Sequence, residues 1–227
     1  MSEIAKLINI RKIYNPGENE VVALDSVSLT INDGEFVAIV GHSGSGKSTL
    51  MNIIGCLDTP TFGEYYLDGS NVSGLSDNQL SRIRNQKIGF VFQSFNLIHG
   101  MSAFENVELP LMYRGMNKED RRAISAEALN KVGLSNRMEH MPPQMSGGQQ
   151  QRVAIARAIA AEPPFILADE PTGNLDTASG NEVMEILHNL NKDGKTIVLI
   201  THDPDIAKTA SRIVEITDGK IVKDKAN

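Results

Sequence analysis

Gly41-His42-Ser43-Gly44-Ser45-Gly46-Lys47-Ser48 has the spacing G-x-x-x-x-G-K-[ST], and it lies between two apolar segments. Phe36-Val37-Ala38-Ile39-Val40 before it reads as a buried strand, and Thr49-Leu50-Met51-Asn52-Ile53-Ile54 after it as a helix. Strand, glycine loop, helix is the context this motif requires. Consecutive backbone N–H groups and the Lys47 ammonium can wrap the β- and γ-phosphates of a nucleotide, while the Ser48 hydroxyl reaches Mg²⁺. Ser43, Gly44, Ser45, Gly46, Lys47, Ser48 and Thr49 are therefore the first candidates for nucleotide contacts.

A second anion-seeking turn follows about a hundred residues later. Ser146-Gly147-Gly148-Gln149 opens a helix that runs through Arg152-Val153-Ala154-Ile155-Ala156-Arg157-Ala158-Ile159, until Pro163-Pro164 stops it. One nucleotide needs one P-loop, so a second helix start of this kind suggests that the ligand is gripped from two sides.

The chain has 227 residues, 41% of them hydrophobic, enough for one large domain with inserted subdomains. Its net charge of −6 makes nucleic acid a poor partner, because neutralising phosphates demands a basic excess. No apolar run approaches the roughly 20 residues that span a bilayer, and Met1-Ser2-Glu3 lacks the regions of a signal peptide. The expectation is a soluble, intracellular chain. Cys56 is the only cysteine, which excludes an intrachain disulfide and fits a reducing compartment. It reads as a buried structural thiol on the helix after the P-loop, and no Cys and His cluster points to a transition metal.

Val27, Leu29 and Ile31 alternate with Ser28 and Thr30 before a turn at Asn32-Asp33-Gly34, an antiparallel strand signal. Glu64 to Gly69 repeats it, as does Ile213 to Ile216 followed by Asp218-Gly219 and Lys220-Ile221-Val222. Asn117 caps a predicted helix that has Ile124, Ala128 and Val132 on one face and a Glu127–Lys131 pair, and Gly133 ends it.

Two further strands end in polar groups. Phe165-Ile166-Leu167-Ala168 leads into Asp169-Glu170, carboxylates where a parallel strand delivers its C-terminal edge to a ligand crevice. Asp169 suits the Mg²⁺ shell, and Glu170 suits polarisation of an attacking water. Thr196-Ile197-Val198-Leu199-Ile200 ends in Thr201-His202-Asp203, which puts an imidazole at the edge of a sheet, where it can bond a γ-phosphate.

Taken in order, Gly41–Ser48, Gln93, Ser146–Gln149, Asp169-Glu170, Asn174-Leu175-Asp176 and His202 resemble the Walker A, Q-loop, signature, Walker B, D-loop and H-loop of an ABC-transporter ATPase subunit. The resemblance covers nearly the whole chain. Ile53 to Asp58, and Gly89 to Gln93 leading to Asn96-Leu97 and Glu105-Asn106-Val107, are similar to the lipoprotein-release and macrolide-export group, whose ATPases pair with permeases having large extracytoplasmic domains. The resemblance implies an α/β fold: a P-loop NTPase (RecA-like) core with an antiparallel β subdomain. A helical subdomain at about 94–160 is inserted into this one domain spanning 1–227.

It also implies roles. Tyr14 matches the aromatic position that stacks on adenine. Ser48, Gln93 and Asp169 match the Mg²⁺ contacts, Glu170 the general base and His202 the γ-phosphate sensor. Ser146, Gly148 and Gln149 match the signature contacts that a second copy makes, and Asp176 the D-loop aspartate. Met145 stands where leucine is usual, a volume-conserving change. Asn174 stands where a small residue is common, which bears on communication across a dimer. His42 occupies a variable position and is given no role.

The implied mechanism is a head-to-tail homodimer that encloses two ATP molecules with Mg²⁺ and drives an integral-membrane permease subunit from the cytoplasmic face of the membrane. A groove for a permease helix is expected in Ser94 to Gly115, with Phe95, Leu97, Ile98, Met101 and Phe104. The alternative is a soluble ATPase of the same engine in DNA maintenance or translation. The space between Gln93 and Ser146 holds only a compact helical subdomain, which speaks against the long coiled coils or zinc modules of the repair and chromosome relatives, and the translation relatives carry two such domains in one chain.

Overall fold

The computed structural model describes residues 2–17 and 19–227. In chain order the elements begin with β1 (Glu3–Tyr14), β2 (Val21–Asn32), β3 (Phe36–Val40), α1 (Lys47–Ile54), β4 (Phe62–Leu67), β5 (Ser70–Asn71) and α2 (Asp77–Lys87). They continue with β6 (Ile88–Phe92), α3 (Ala103–Tyr113), α4 (Lys118–Lys131), α5 (Gly147–Ala160), β7 (Phe165–Asp169) and α6 (Thr177–Lys192). The last are β8 (Thr196–Ile200), α7 (Pro204–Ala207), β9 (Arg212–Thr217) and β10 (Lys220–Ala226). Two compact units result, one formed by Met1–Arg84 with Thr196–Asn227 and the other by Asn85–Lys195.

The first unit carries an antiparallel sheet ordered β2-β1-β4-β5. From Val27 onward β2 alternates as its period demands, with Val27, Leu29 and Ile31 buried and Ser28 facing water, while Ser26 at φ 57° shifts the phase so that Leu24 is buried too. Leu7 pairs with Leu29 and Ala5 with Ile31 on the same face. A bulge interrupts β1, where Asn9 adopts φ 48° and its N–H is taken by Ser28 Oγ at 2.9 Å. Gly63 makes that bulge possible, since a Cβ there would stand 2.5 Å from Asn9 O.

In the same unit β3 lies parallel to both β8 and β9, and β9 turns back into β10. The turn residues Asp218 and Gly219 both have positive φ, 48° and 73°, the conformation of a two-residue hairpin turn. β3 and β8 are buried almost throughout, as parallel strands covered on both faces are. Arg212 ties the hairpin to the rest of the unit. Its guanidinium donates to both oxygens of Asp224 at 2.6 Å, to Glu35 Oε1 at 3.0 Å and to Thr30 O at 2.9 Å.

The second unit pairs β6 with β7 in parallel, Phe92 opposite Asp169. α5 is its central helix, with Val153, Ala154, Ile155 and Ala156 fully buried. Gly89 allows β6 to lie close to α5, because a Cβ would meet Ala158 O at 2.6 Å. α4 starts on Asn117, whose side chain accepts from Asp120 N, and carries the expected Glu127–Lys131 pair at 2.9 Å. Its buried face is Ser125, Ala128 and Leu129, while Ile124 is only half-buried.

Two expectations need correction. Cys56 is not on the helix after the P-loop: α1 ends at Ile54, Gly55 caps it, and Cys56 follows with φ 53°. It is buried, as expected, and burial pushes its thiol up to about 11 against the pull of Arg84. Leu97 and Phe104 do not line a surface groove. Both are buried, because the capping box of Ser102 with Glu105 starts α3 there and turns Phe104 inward. The exposed apolar side chains of that stretch are Ile98, Met112 and Tyr113. Among the described residues no helix is long and apolar enough to cross a membrane.

Candidate nucleotide site

The first unit builds a phosphate cradle from β3, the loop and α1. Gly46 stands at the N-cap of α1 with φ 105°, a conformation that glycine adopts without strain. A Cβ there would also strike Ala23 O at 2.7 Å, and one on Gly41 would strike Ile216 O at 2.3 Å. The loop is thus pressed against β2 and β9, and the Asp218-Gly219 turn backs it: Gly219 N donates to Ser45 O at 2.9 Å, and Asp25 N to Gly219 O at 2.9 Å. The turn is legible in Asp218-Gly219 itself, but its place under the loop comes from contacts distant in sequence.

Lys47 folds its ammonium over the loop, donating to Gly41 O at 2.7 Å and His42 O at 2.8 Å. Ser48 is exposed at the first turn of α1, where backbone N–H groups have no partner within the helix. Ser45 differs from its neighbours, since it is 1% exposed with its side chain beneath the loop. What it offers a ligand is main chain. Gly44, Gly46, Lys47, Ser48 and Thr49 line a pocket of about 360 Å³ together with Val21, Val22 and Ala23, which falls in the range of small-molecule sites.

Tyr14, at the end of β1, donates its hydroxyl to Asp58 Oδ2 at 2.9 Å. Lys12 bonds Asp58 Oδ1 at 2.6 Å, and its Nζ lies 5.0 Å from the centre of the Tyr14 ring. Burial and the Asp58 bond raise the phenol's pKa. Burial works against the Asp58 carboxylate, but the bonds from Lys12 and Tyr14 outweigh it and hold its pKa below the usual value. Lys12 lies in no motif, and the stretch that ends at Asp58 says nothing of a partner 44 residues before it, so no local signal points to this cluster. His202 is exposed beyond β8, and Asp203 after it caps α7.

The second unit brings together the other set. Asp169 ends β7, and Glu170 follows with φ 44°, a left-handed conformation that costs a non-glycine residue roughly 1–3 kcal/mol. Gln93 follows β6, whose last residue pairs with Asp169. Beyond it, Phe95 and Asn96 both have positive φ, and Arg157 on α5 donates to the carbonyls of both, holding the loop in that shape.

Ser146 and Gln149 form a capping box: Ser146 Oγ accepts from Gln149 N, and Gln149 Oε1 accepts from Ser146 N. Their side chains are thereby committed to shaping the helix start, which leaves the Gly147 and Gly148 amides as its first N–H groups. Gly148 has to be glycine, since a Cβ would meet Ser179 Oγ at 2.7 Å. Asp176 caps α6, accepting from Ser179 N at 3.0 Å and Ser179 Oγ at 2.7 Å.

The ABC transporter family matches residues 24–173, the segment from within β2 through the P-loop to just beyond Glu170. This chain belongs to that family. The cassette is an ATP-binding and ATP-hydrolysing α/β protein of the P-loop NTPase fold. It is 54% identical over 219 residues to the ABC transporter ATP-binding protein YvrO of Bacillus subtilis, covering 96% of each chain. It is 52% identical to the macrolide export ATP-binding/permease protein MacB of Hyphomonas neptunium, over 99% of this chain and 35% of that one. The cassette therefore spans about a third of the MacB relatives it matches.

Among solved structures it resembles the dimeric post-hydrolysis state of the ATP-binding cassette MJ0796 of Methanocaldococcus jannaschii bound to ADP and Pi. The TM-score is 0.90 at 50% identity, over 98% of both chains. These relatives are transporter components, and the DNA-maintenance or translation alternative draws no support from them.

Proposed function

We propose that the cassette works as a homodimer that closes on two ATP molecules and drives an integral-membrane permease from the cytoplasmic face, in the manner of an exporter or of a force-transmitting machine. The observation that carries this reading is the phosphate cradle, in which Gly41 and Gly46 leave no room for a Cβ and Lys47 sits over the loop. The second unit carries Asp169, Glu170 and Gln93, side chains of the kind that hold a metal ion and activate water.

Ser43, Gly44, Ser45, Gly46, Lys47, Ser48 and Thr49 hold the phosphates, and Tyr14 stacks on adenine. Ser146, Gly148, Gln149 and Asp176 serve the second copy's nucleotide, the helix start of α5 facing a γ-phosphate. Ser48, Gln93 and Asp169 are the residues that would hold Mg²⁺, and the donors are all oxygen, as a hard cation requires. Bound there, the ion would neutralise charge on the phosphate oxygens. Glu170 takes the proton of the attacking water, and the strained backbone at this residue supports a functional reading. His202 bonds the γ-phosphate. Exposed Ile98, Met112 and Tyr113 support a permease contact on the second unit.

The MacB relatives, whose names join an ATP-binding part to a permease, are named for macrolide export, which supports an exporter-like partner. The test is Glu170→Gln. A lost general base lowers turnover by about 10²–10⁴-fold while calorimetric ATP affinity stays as in the wild type. Turnover at the wild-type rate would overturn the assignment.

A further inference from the structure

Asn174 and Gln93, 81 residues apart in sequence, hold each other by two hydrogen bonds. Asn174 Nδ2 donates to the backbone carbonyl of Gln93 at 3.0 Å, and Gln93 Nε2 donates to Asn174 Oδ1 at 3.2 Å. The first bond fixes the second. A backbone carbonyl can only accept, so the Asn174 amide must turn its NH₂ toward it, and its oxygen is then the end presented to the Gln93 side chain. An oxygen there can only receive an N–H. Gln93 is obliged to give its NH₂ to Asn174, and Oε1 becomes the end of the amide turned away from Asn174.

Gly173 lets the two approach, because a Cβ at that position would stand 2.7 Å from Gln93 Nε2. A glutamine amide left alone has no such preference, since its last torsion is broad and roughly two-fold. A cation takes only the oxygen end.

We infer that Asn174 is a positioning residue for metal binding: it orients the Gln93 amide so that Oε1, not NH₂, faces the Mg²⁺ of the nucleotide. This rests on the proposed role of Gln93 as a metal contact. It also gives Asn174 a task inside its own subunit, with no dimer partner required.

The experiment is calorimetric titration of ATP into wild type and variants, once with Mg²⁺ and once with a chelator. The ratio of the two dissociation constants isolates the contribution of the metal. Asn174→Ala is expected to shrink that ratio about fivefold, the scale of one net hydrogen bond, and to leave the affinity in chelator unchanged. The decisive comparison is in a Gln93→Glu background. A carboxylate has an oxygen at each end and needs no orienting, so Asn174→Ala should have no effect on the ratio there. A ratio unchanged by Asn174→Ala in the glutamine background, or reduced equally in both backgrounds, overturns the inference. Should Gln93→Ala itself leave the ratio as in the wild type, the metal role of Gln93 falls, and the inference falls with it for that separate reason.

Discussion

Tyr14 and Asp58 are joined by a 2.9 Å hydrogen bond from phenol to carboxylate, and Lys12 bonds the same carboxylate while lying beside the Tyr14 ring. The ring is therefore held at its hydroxyl end, and a base stacked on it meets a platform that is already in place. Tyr14→Phe keeps the ring and loses the anchor. It should weaken ATP binding about fivefold, the equivalent of one net hydrogen bond, and Asp58→Asn in the Tyr14→Phe background should add little. Tyr14→Ala, which removes the stacking surface, should weaken binding by about tenfold or more. Titration calorimetry with ATP checks all three.

Gly148 and Ser179 are a packing pair. A Cβ on Gly148 would stand 2.7 Å from Ser179 Oγ and 2.8 Å from its Cβ, so Gly148→Ala forces the starts of α5 and α6 apart. Overpacking of this kind costs about 1–3 kcal/mol, read as a lower midpoint in thermal unfolding. Ser179→Gly removes both clashing atoms. The double variant should then be more stable than the sum of the two single effects, by about 1 kcal/mol of coupling.

Cys56 gives a dependence on pH. Its thiol is pushed up to about 11 by burial, with Arg84 opposing, whereas an unfolded cysteine titrates near ~8.5. The folded state thus holds this proton more tightly than the unfolded state. The stabilisation from the neutral thiol is complete below the unfolded value and is lost as pH rises toward 11. Wild type should lose more stability than Cys56→Ala between about pH 8.5 and the folded value, measured by chemical denaturation. The native thiol should also resist alkylation at neutral pH, since the thiolate is the nucleophile.

The legible parts of this chain were those with local rules. The Asn117 cap, the Gly133 stop, the helix start at Ser146 and the Asp218-Gly219 turn each follow from a few neighbouring residues, and each stands where those residues put it. At α3 two local signals compete: Ser102 and Glu105 spell a capping box, while the apolar residues around them also fit a surface groove, and only the fold shows that the helix buries Phe104. Other features had no local signal at all. The Tyr14–Asp58–Lys12 cluster, the hold of Arg157 on Phe95 and Asn96, and the Gln93–Asn174 pair join residues 44 to 81 positions apart, except for the neighbouring Lys12 and Tyr14. Only the fold brings such residues together.

In the proposed dimer each copy completes the other's nucleotide site, and sedimentation of Glu170→Gln with saturating ATP and Mg²⁺ reads this out. The expected species has twice the chain's mass and carries two ATP, and it reverts to single chains when Ser146→Arg is added, with ATP still bound to each. A Glu170→Gln protein that binds ATP fully and sediments only as a single chain would contradict it.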